Sequence, residues 1–220
     1  MATDLGDAQR EHWREVYART PGMYGEEPSA PARHAARVFA ERGAHTVVEL
    51  GAGHGRDALW LAGAGFTVHA TDFSPTGLAQ LDAAADERGL TDRVHTALHD
   101  VRTPLPHPDA SMDAAFAHML LCMALTTPQI RALVDEIGRV LRPGGTLVYT
   151  VRHTGDAHYG AGIAHGDGIF EHGGFAVHFF DRALVEDLAR GWVLLEVAPF
   201  EEGELPRRLW RVTQTRPAAG

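Results

Sequence analysis

The chain has one cysteine, Cys122, so no intrachain disulfide can form and a reducing compartment is the simple expectation. Residues 1–10 are polar and hold no apolar h-region, so no secretory signal is visible. The longest strongly apolar stretch, residues 114–125, is too short to cross a bilayer and contains His118. A cytoplasmic protein without a membrane partner is expected. Lys/Arg clusters are missing beyond Arg207-Arg208, and 20 Lys and Arg against 29 Asp and Glu leave a formal charge of −9. A nucleic-acid enzyme normally carries a basic face to neutralise phosphates, so the expected partner is a small molecule and not nucleic acid. Disorder is not expected either: the balance of 45% hydrophobic and 22% charged residues is that of a globular chain, and 220 residues suit one compact domain. Fourteen histidines raise the question of a metal. His153, His158, His165, His172 and His178 are spread out without a paired-ligand motif, and Cys122 has no cysteine partner, so no metal is expected.

What is present is an alternation of strand and helix patterns. Apolar spacing predicts a helix over 9–19, with Trp13 and Val16-Tyr17 on one face, and another over 31–42 with Pro31 in its first turn. Strands are predicted at 45–50, 66–71, 93–98, 113–118 and 146–151. Helices are predicted at 56–63, 74–88 and 128–141. Residues 153–174 are rich in Gly and His with little periodicity and read as a loop. A helix at 181–189 and strands at 192–198 and 209–215 follow. Such alternation implies an α/β fold, a mostly parallel sheet covered by helices on both faces, with ligands bound beyond the carboxyl ends of the strands. Residues 199–208 are too few for a parallel crossover, so the last strand pair should be antiparallel.

The segment Val47 to Asp57, VVELGAGHGRD, places Gly51, Gly53 and Gly55 between a predicted strand and a predicted helix. Glycine permits the backbone angles of such a turn and lets a ligand approach closely. A plain strand-to-helix turn is the bland alternative. A dinucleotide fingerprint wants its third glycine where Arg56 stands. Glu49, a carboxylate at a strand end, suits a cationic partner better than a pyrophosphate. Asp72 ends the next strand, where an acid can accept hydrogen bonds from ribose hydroxyls.

At this point the sequence resembles the class I S-adenosylmethionine-dependent methyltransferases. Glu49 to Gly55 looks like the family's first motif, and Asp72-Phe73-Ser74 like the ribose acid and its neighbour. His99-Asp100-Val101 resembles the adenine segment, Asp113 to Phe116 the start of the fourth strand, and Leu141 to Gly145 the turn before the fifth. The resemblance implies a Rossmann-like sheet of seven strands with the last one antiparallel. It implies S-adenosylmethionine as cofactor and S-adenosylhomocysteine as product. By the same analogy Glu49, Gly51, Ala52, Gly53, Gly55 and Arg56 lie near the methionine part. Asp72 holds the ribose, Asp100 the adenine amino group, and Phe73 and Val101 pack the ring. His118 sits where cofactor and acceptor meet.

A narrower likeness concerns Tyr17, Met23-Tyr24-Gly25 and Pro28-Ser29, which look like the N-terminal lid of small methyltransferases related to tellurite-resistance and thiopurine-type enzymes. Val151-Arg152-His153-Thr154 with Asp156 and Tyr159-Gly160 resembles their loop after strand five. One domain is expected, with a lid at 1–30, a cofactor core at 31–152, an acceptor loop at 153–180 and a C-terminal helix and strand pair at 181–220.

Methyl transfer is an in-line displacement in which the protein chiefly aligns the reactants and excludes water. Where the acceptor loses a proton, a base helps. His153, Asp156, Tyr159, Glu171, His178 and Tyr24 are the candidates, against the alternative of solvated loop side chains. His118 has two readings, acceptor contact and hydrogen-bonded core residue. No Asn/Asp-Pro-Pro-Tyr/Phe motif follows strand four, where Phe116-Ala117-His118-Met119 stands, which argues against amide or adenine amino methylation. Tyr24, Tyr159, Phe170, Phe175, Phe179 and Phe180 suggest a small aromatic or heteroaromatic acceptor. Carbon methylation of an indole is the specific expectation, beside O-, N- or S-methylation of another small molecule. An NAD(P)-dependent oxidoreductase and a non-catalytic cofactor-binding protein are the other classes. A monomer or a homodimer fits equally.

Overall fold

The computed structural model describes residues 4–203 and 207–218. Its main sheet has seven strands: β1 (Thr46–Leu50), β2 (Thr67–Asp72), β3 (Val94–Leu98), β4 (Met112–His118), β5 (Leu141–Arg152), then β9 (Val193–Glu202) and β10 (Arg207–Thr215). The order across the sheet is β3-β2-β1-β4-β5-β10-β9. β1 pairs in parallel with β2 and β4, whereas β10 is antiparallel to both β5 and β9. The last strand is therefore the reversed one, as the short connection predicted.

Alternating side chains send two cores to opposite faces. On one face Val47, Val68, Ala70, Phe116 and Val148 pack with Phe39, Leu61 and Leu81. Those three come from α2 (Ala30–Glu41), α3 (Arg56–Gly63) and α4 (Pro75–Glu87). On the other face Val48, Ala115, Ala117, Leu147 and Tyr149 pack with Ile130, Ile137 and Val185. These come from α5 (Thr127–Val140) and α6 (Arg182–Leu188). Caps set the helix starts. The Ser29 hydroxyl accepts the Ala32 N–H at 3.0 Å, and Thr126 with Gln129 forms a capping box. The first helix, α1 (Leu5–Arg19), is capped by Asp4 and begins four residues before the helix expected at 9–19.

β5 begins at Leu141, so the turn expected at 141–145 before a strand at 146–151 is part of the strand. Two further features depart from the sequence reading. Residues 153–174 are not all loop. β6 (Ile163–Gly166), β7 (Ile169–His172) and β8 (Phe175–His178) form a separate three-stranded antiparallel sheet. Its turns are Asp167-Gly168, with φ of 49° and 72°, and Gly173-Gly174, with φ of 61° and 85°. Two successive positive φ values are the requirement of the hairpin turn whose twist matches its strands. The second departure is β9, which runs through Pro199 to Glu202 instead of stopping near 198. Pro199 lies opposite Trp210, and β9 is an edge strand, the place in a sheet where proline is tolerated. The expected connection at 199–208 is in part strand; 204–206 lie outside the described residues.

Because β9 runs parallel to β1, β2, β4 and β5, its end carries Glu202 to the edge that also holds Glu49, Asp72, His118 and Arg152. α1 roofs this edge. Gln9 ties it to β8, donating from Nε2 to Gly174 O at 2.9 Å and accepting the Ala176 N–H at 3.0 Å. Gln80 of α4 donates to Tyr17 O at 3.2 Å.

Candidate functional site

A cleft of about 740 Å³ opens at the carboxyl edge of the parallel strands. Its floor is the glycine loop. Gly51, Gly53 and Gly55 have φ of 74°, 56° and 87°, the left-handed region that penalises a side chain. A Cβ on Gly51 would lie 2.9 Å from Leu120, and one on Gly53 would lie 2.3 Å from the Tyr17 hydroxyl. The loop thus lies close beneath α1. Gly55 serves packing instead: a Cβ there would lie 2.1 Å from Leu81 of α4.

Glu49 lines the cleft, is 4% exposed, and its Oε2 has no hydrogen-bond partner among the described residues. Burial, with the Asp57 and Asp72 charges beside it, pushes its carboxyl well above the usual carboxylate range, against the pull of Arg56. Asp72 is better supplied. Its Oδ2 accepts the Gly53 N–H at 2.8 Å and its Oδ1 the Ser74 N–H at 2.8 Å. Burial still raises it, in opposition to those bonds. Each oxygen keeps a second lone pair for a ligand hydroxyl. Beside Phe73, a narrow hollow runs to Asp100 and Val101 and is closed by α1 at Gly6, Gln9, Arg10 and Trp13. Asp100 is held there by Arg102, whose Nη2 reaches Oδ2 at 2.7 Å and whose other donors reach Asp4 and Asp7 of the lid. That hydrogen bond holds the Asp100 carboxyl below its ordinary value against burial.

Arg56 also lines the cleft, paired to Asp57 at 3.2 Å. Asp57 in turn accepts the Ser29 N–H at 2.7 Å and its hydroxyl at 2.8 Å, which fixes the lid's exit to the glycine loop. Tyr24 of the lid stacks on His54 at 5.9 Å, with the Arg56 guanidinium 5.6 Å from its ring centre. Its hydroxyl is pushed up by burial.

The other half of the cleft is aromatic and polar. Phe170, Phe175 and Phe179 supply its apolar wall, with His118, Arg152, His158, His172, Glu202 and Arg207 around it. His118 Nδ1 meets the Thr150 hydroxyl at 2.8 Å, and its Nε2 meets Glu202 Oε1 at 3.4 Å.

Of the expected catalytic residues only Tyr24 lines this cleft. His153 stacks on Trp210 at 4.7 Å, outside the wall. Asp156 is 5% exposed and forms an ion pair with Arg152, while also accepting the N–H groups of His158 and Arg208 at 2.8 Å each. Burial raises its carboxyl, but these bonds outweigh it and hold the group below its usual value. That makes it a structural anion. Tyr159 packs edge-on to Phe170 and Phe179 behind the wall and is 45% exposed. His178 is buried, its Nδ1 bonded to Leu125 O at 2.7 Å. Glu171 pairs with His165 at 2.8 Å on the second sheet. Of the expected aromatics, Phe180 packs in the core. Of the expected cofactor residues, Glu49, Gly51, Ala52, Arg56, Asp72, Phe73 and His118 line the cleft, and Asp100 and Val101 line the adjoining hollow. His158, His172, Glu202 and Arg207 also line the cleft, and the sequence reading gave none of them a role there. No helix among the described residues is long and apolar enough to cross a membrane.

The donor set suits S-adenosylmethionine. A buried carboxylate oxygen without a partner suits an ammonium or sulfonium, the loop has room only without Cβ atoms, and the free lone pairs of the acid at the end of β2 suit hydroxyl donors such as those of a ribose. Comparison with known proteins agrees. Residues 47–145 match the family described as "Methyltransferase domain". "Methyltransferase GfsG" of Streptomyces halstedii is 37% identical over 107 residues, which are 47% of this chain and 36% of that protein. An uncharacterized protein of Mycobacterium tuberculosis is 35% identical over 101 residues, 46% of this chain and 35% of that protein. The matched segments thus span about a third of the length of these curated relatives. Among solved structures, the 1,6-didemethyltoxoflavin-N1-methyltransferase of Burkholderia thailandensis superposes with a TM-score of 0.75 at 18% identity, covering 99% of this chain and 92% of that one. Residues 47–145 thus match a methyltransferase domain, and the strand order of the chain is that of the class I, S-adenosylmethionine-dependent methyltransferase fold.

Proposed function

We propose that the chain transfers a methyl group from S-adenosylmethionine to a small aromatic or heteroaromatic molecule. The observation that carries this reading is the continuity of the cleft, whose wall runs from Glu49 and Asp72 to Phe170, Phe175 and Phe179 without a break. When bound, S-adenosylmethionine supplies a methyl group on a sulfonium, which needs no further activation. The chain's own work is to hold and to align. Glu49 meets the cation, Asp72 the ribose, and Phe73 with Val101 the adenine. Tyr17, Tyr24 and the rest of the lid shield the reacting centre from water. The phenylalanines of the second sheet hold a flat ring by face and edge contact. The Burkholderia protein is named for N1-methylation of 1,6-didemethyltoxoflavin, a small-molecule acceptor. Within the class, an indole is the first acceptor to test, because an electron-rich ring carbon attacks a methyl sulfonium directly. Formation of S-adenosylhomocysteine across a panel of indoles, phenols and small N-heterocycles tests the reading. Turnover of at least one of them, with a methylated product by mass, supports it. Cofactor binding with no turnover of any aromatic acceptor would contradict it and favour a non-catalytic binding protein.

A further inference from the structure

We infer that Glu202 is the group in the acceptor half that takes the acceptor's hydrogen, so that the site selects acceptors bearing an N–H or O–H. This rests on the methyl-transfer reading above. Glu202 arrives from the end of β9 and His118 from β4, both lining the cleft, and Thr150 of β5 is buried behind His118.

Their contacts favour one protonation pattern. The Thr150 hydroxyl accepts the Met119 N–H at 2.9 Å and lies 2.8 Å from His118 Nδ1. His118 Nε2 lies 3.4 Å from Glu202 Oε1. A neutral imidazole carries one N–H and one lone pair. If the hydrogen were on Nδ1, the Nε2 lone pair would face a carboxylate oxygen, acceptor against acceptor. With the hydrogen on Nε2, His118 accepts from the Thr150 hydroxyl and sets its N–H 3.4 Å from the Glu202 carboxylate, an attractive contact to a charge. His118 therefore has no free lone pair and is not itself the base. It is a positioning residue for Glu202.

Glu202 is kept ionised. Burial alone would raise its carboxyl, but the His118 N–H beside it and the Arg207 and Arg56 charges outweigh burial and hold it below the usual carboxylate range. Those groups, from β4, β10 and α3, with the Tyr24 hydroxyl of the lid, are the titratable and charged neighbours that face it. The carboxylate is 27% exposed, and its residue lines the cleft, where it can accept a hydrogen bond from the ligand. In the reaction the acceptor's electron pair forms the new bond to the methyl carbon, and the pair of the breaking carbon–sulfur bond goes to sulfur. The hydrogen on the acceptor's nitrogen or oxygen moves as a proton to the Glu202 carboxylate and from there to water.

The test uses pairs of probes differing by one donor, indole with 1-methylindole and phenol with anisole, titrated calorimetrically into the protein saturated with S-adenosylhomocysteine. The donor-bearing member of each pair should bind about tenfold more tightly, as befits a hydrogen bond to a charged group. Glu202→Leu should erase that gap while leaving S-adenosylhomocysteine affinity within about twofold. Failure of S-adenosylhomocysteine to bind would sink the methyl-transfer reading. If it binds, equal affinity within each pair, absence of donor-probe binding, or a gap that survives Glu202→Leu would overturn the role of Glu202 alone. For any acceptor turned over, His118→Phe should move the acidic limb of the kcat/KM profile to higher pH, because the carboxylate loses its donor. A merely structural His118 would lower the rate with the limb in place.

Discussion

Replacing Glu49 by glutamine should move stability and cofactor affinity in opposite directions. The carboxyl is 4% exposed, its Oε2 lacks a partner among the described residues, and its nearest acidic neighbours are Asp57 and Asp72. Burial is the main reason its folded-state pKa lies well above the unfolded value. Such a group holds its proton in the folded protein over a pH range where the unfolded chain has already released it. Its contribution to stability is therefore full below the unfolded pKa, about 4.3, and is lost as pH rises through the folded one. The loss runs at about 1.4 kcal/mol per pH unit in that interval. Glutamine is neutral throughout, so Glu49→Gln should be more stable than the native chain by a margin that grows from near zero at acid pH. The margin should level off once Glu49 ionises in the folded protein. Affinity for S-adenosylmethionine should fall, because a hydrogen bond from a cation to a carboxylate contributes about 1.5–3 kcal/mol, roughly 10- to 150-fold. The native protein should also release a proton on binding the cation, and its affinity should rise with pH over the same interval. Urea unfolding of both proteins across this range, with calorimetry in two buffers of different ionisation enthalpy, measures each part. A stability margin independent of pH, together with unchanged affinity, would refute the reasoning.

Three further outcomes follow from particular contacts. Gly53→Ala forces a side chain into the left-handed region at about 1–2 kcal/mol and places its Cβ 2.3 Å from the Tyr17 hydroxyl. It should lower the melting temperature and weaken S-adenosylmethionine binding about tenfold or more; adding Tyr17→Phe should recover part of both, since the nearest remaining ring atom is 3.0 Å away. Asp156→Ala leaves the guanidinium of Arg152 buried without its anion and should cost about 3–5 kcal/mol in urea unfolding. Because the folded Asp156 carboxyl lies below its ordinary value, its contribution is present above the unfolded pKa, about 3.9, and is lost as pH falls through the folded one. The mutant should therefore show a shallower loss of stability in acid, read from unfolding midpoints over that range.

The sequence was most informative where function constrains the backbone. The glycines at 51, 53 and 55 and the acids at 49 and 72 are local signals, and the folded chain sets the two acids and Gly51 on one cleft wall. The aromatic and polar half of the cleft was mostly hidden for a different reason. Arg152, His158, His172, Glu202 and Arg207 come from β5, the loop after it, β7, β9 and β10, and meet only through the tertiary fold. The second sheet that carries part of this wall did leave a signal. Asp167-Gly168 and Gly173-Gly174 are two-residue hairpin turns between short runs, and the glycine content around them masked it. His153, Asp156 and Tyr159 were chosen from the right segment, but stacking on Trp210, the Arg152 ion pair and packing behind Phe170 turn them away from the cleft. Pro199 gave a false stop to β9, since an edge strand tolerates proline, and so Glu202 was read as loop.

The most direct test of the account is a calorimetric titration of the purified chain with S-adenosylmethionine and, separately, with NADH. The account predicts one site for S-adenosylmethionine, no binding of NADH, and at least a tenfold loss in Asp72→Ala at preserved fold. Binding of NADH in place of S-adenosylmethionine, or an Asp72→Ala protein with unchanged affinity, would contradict it.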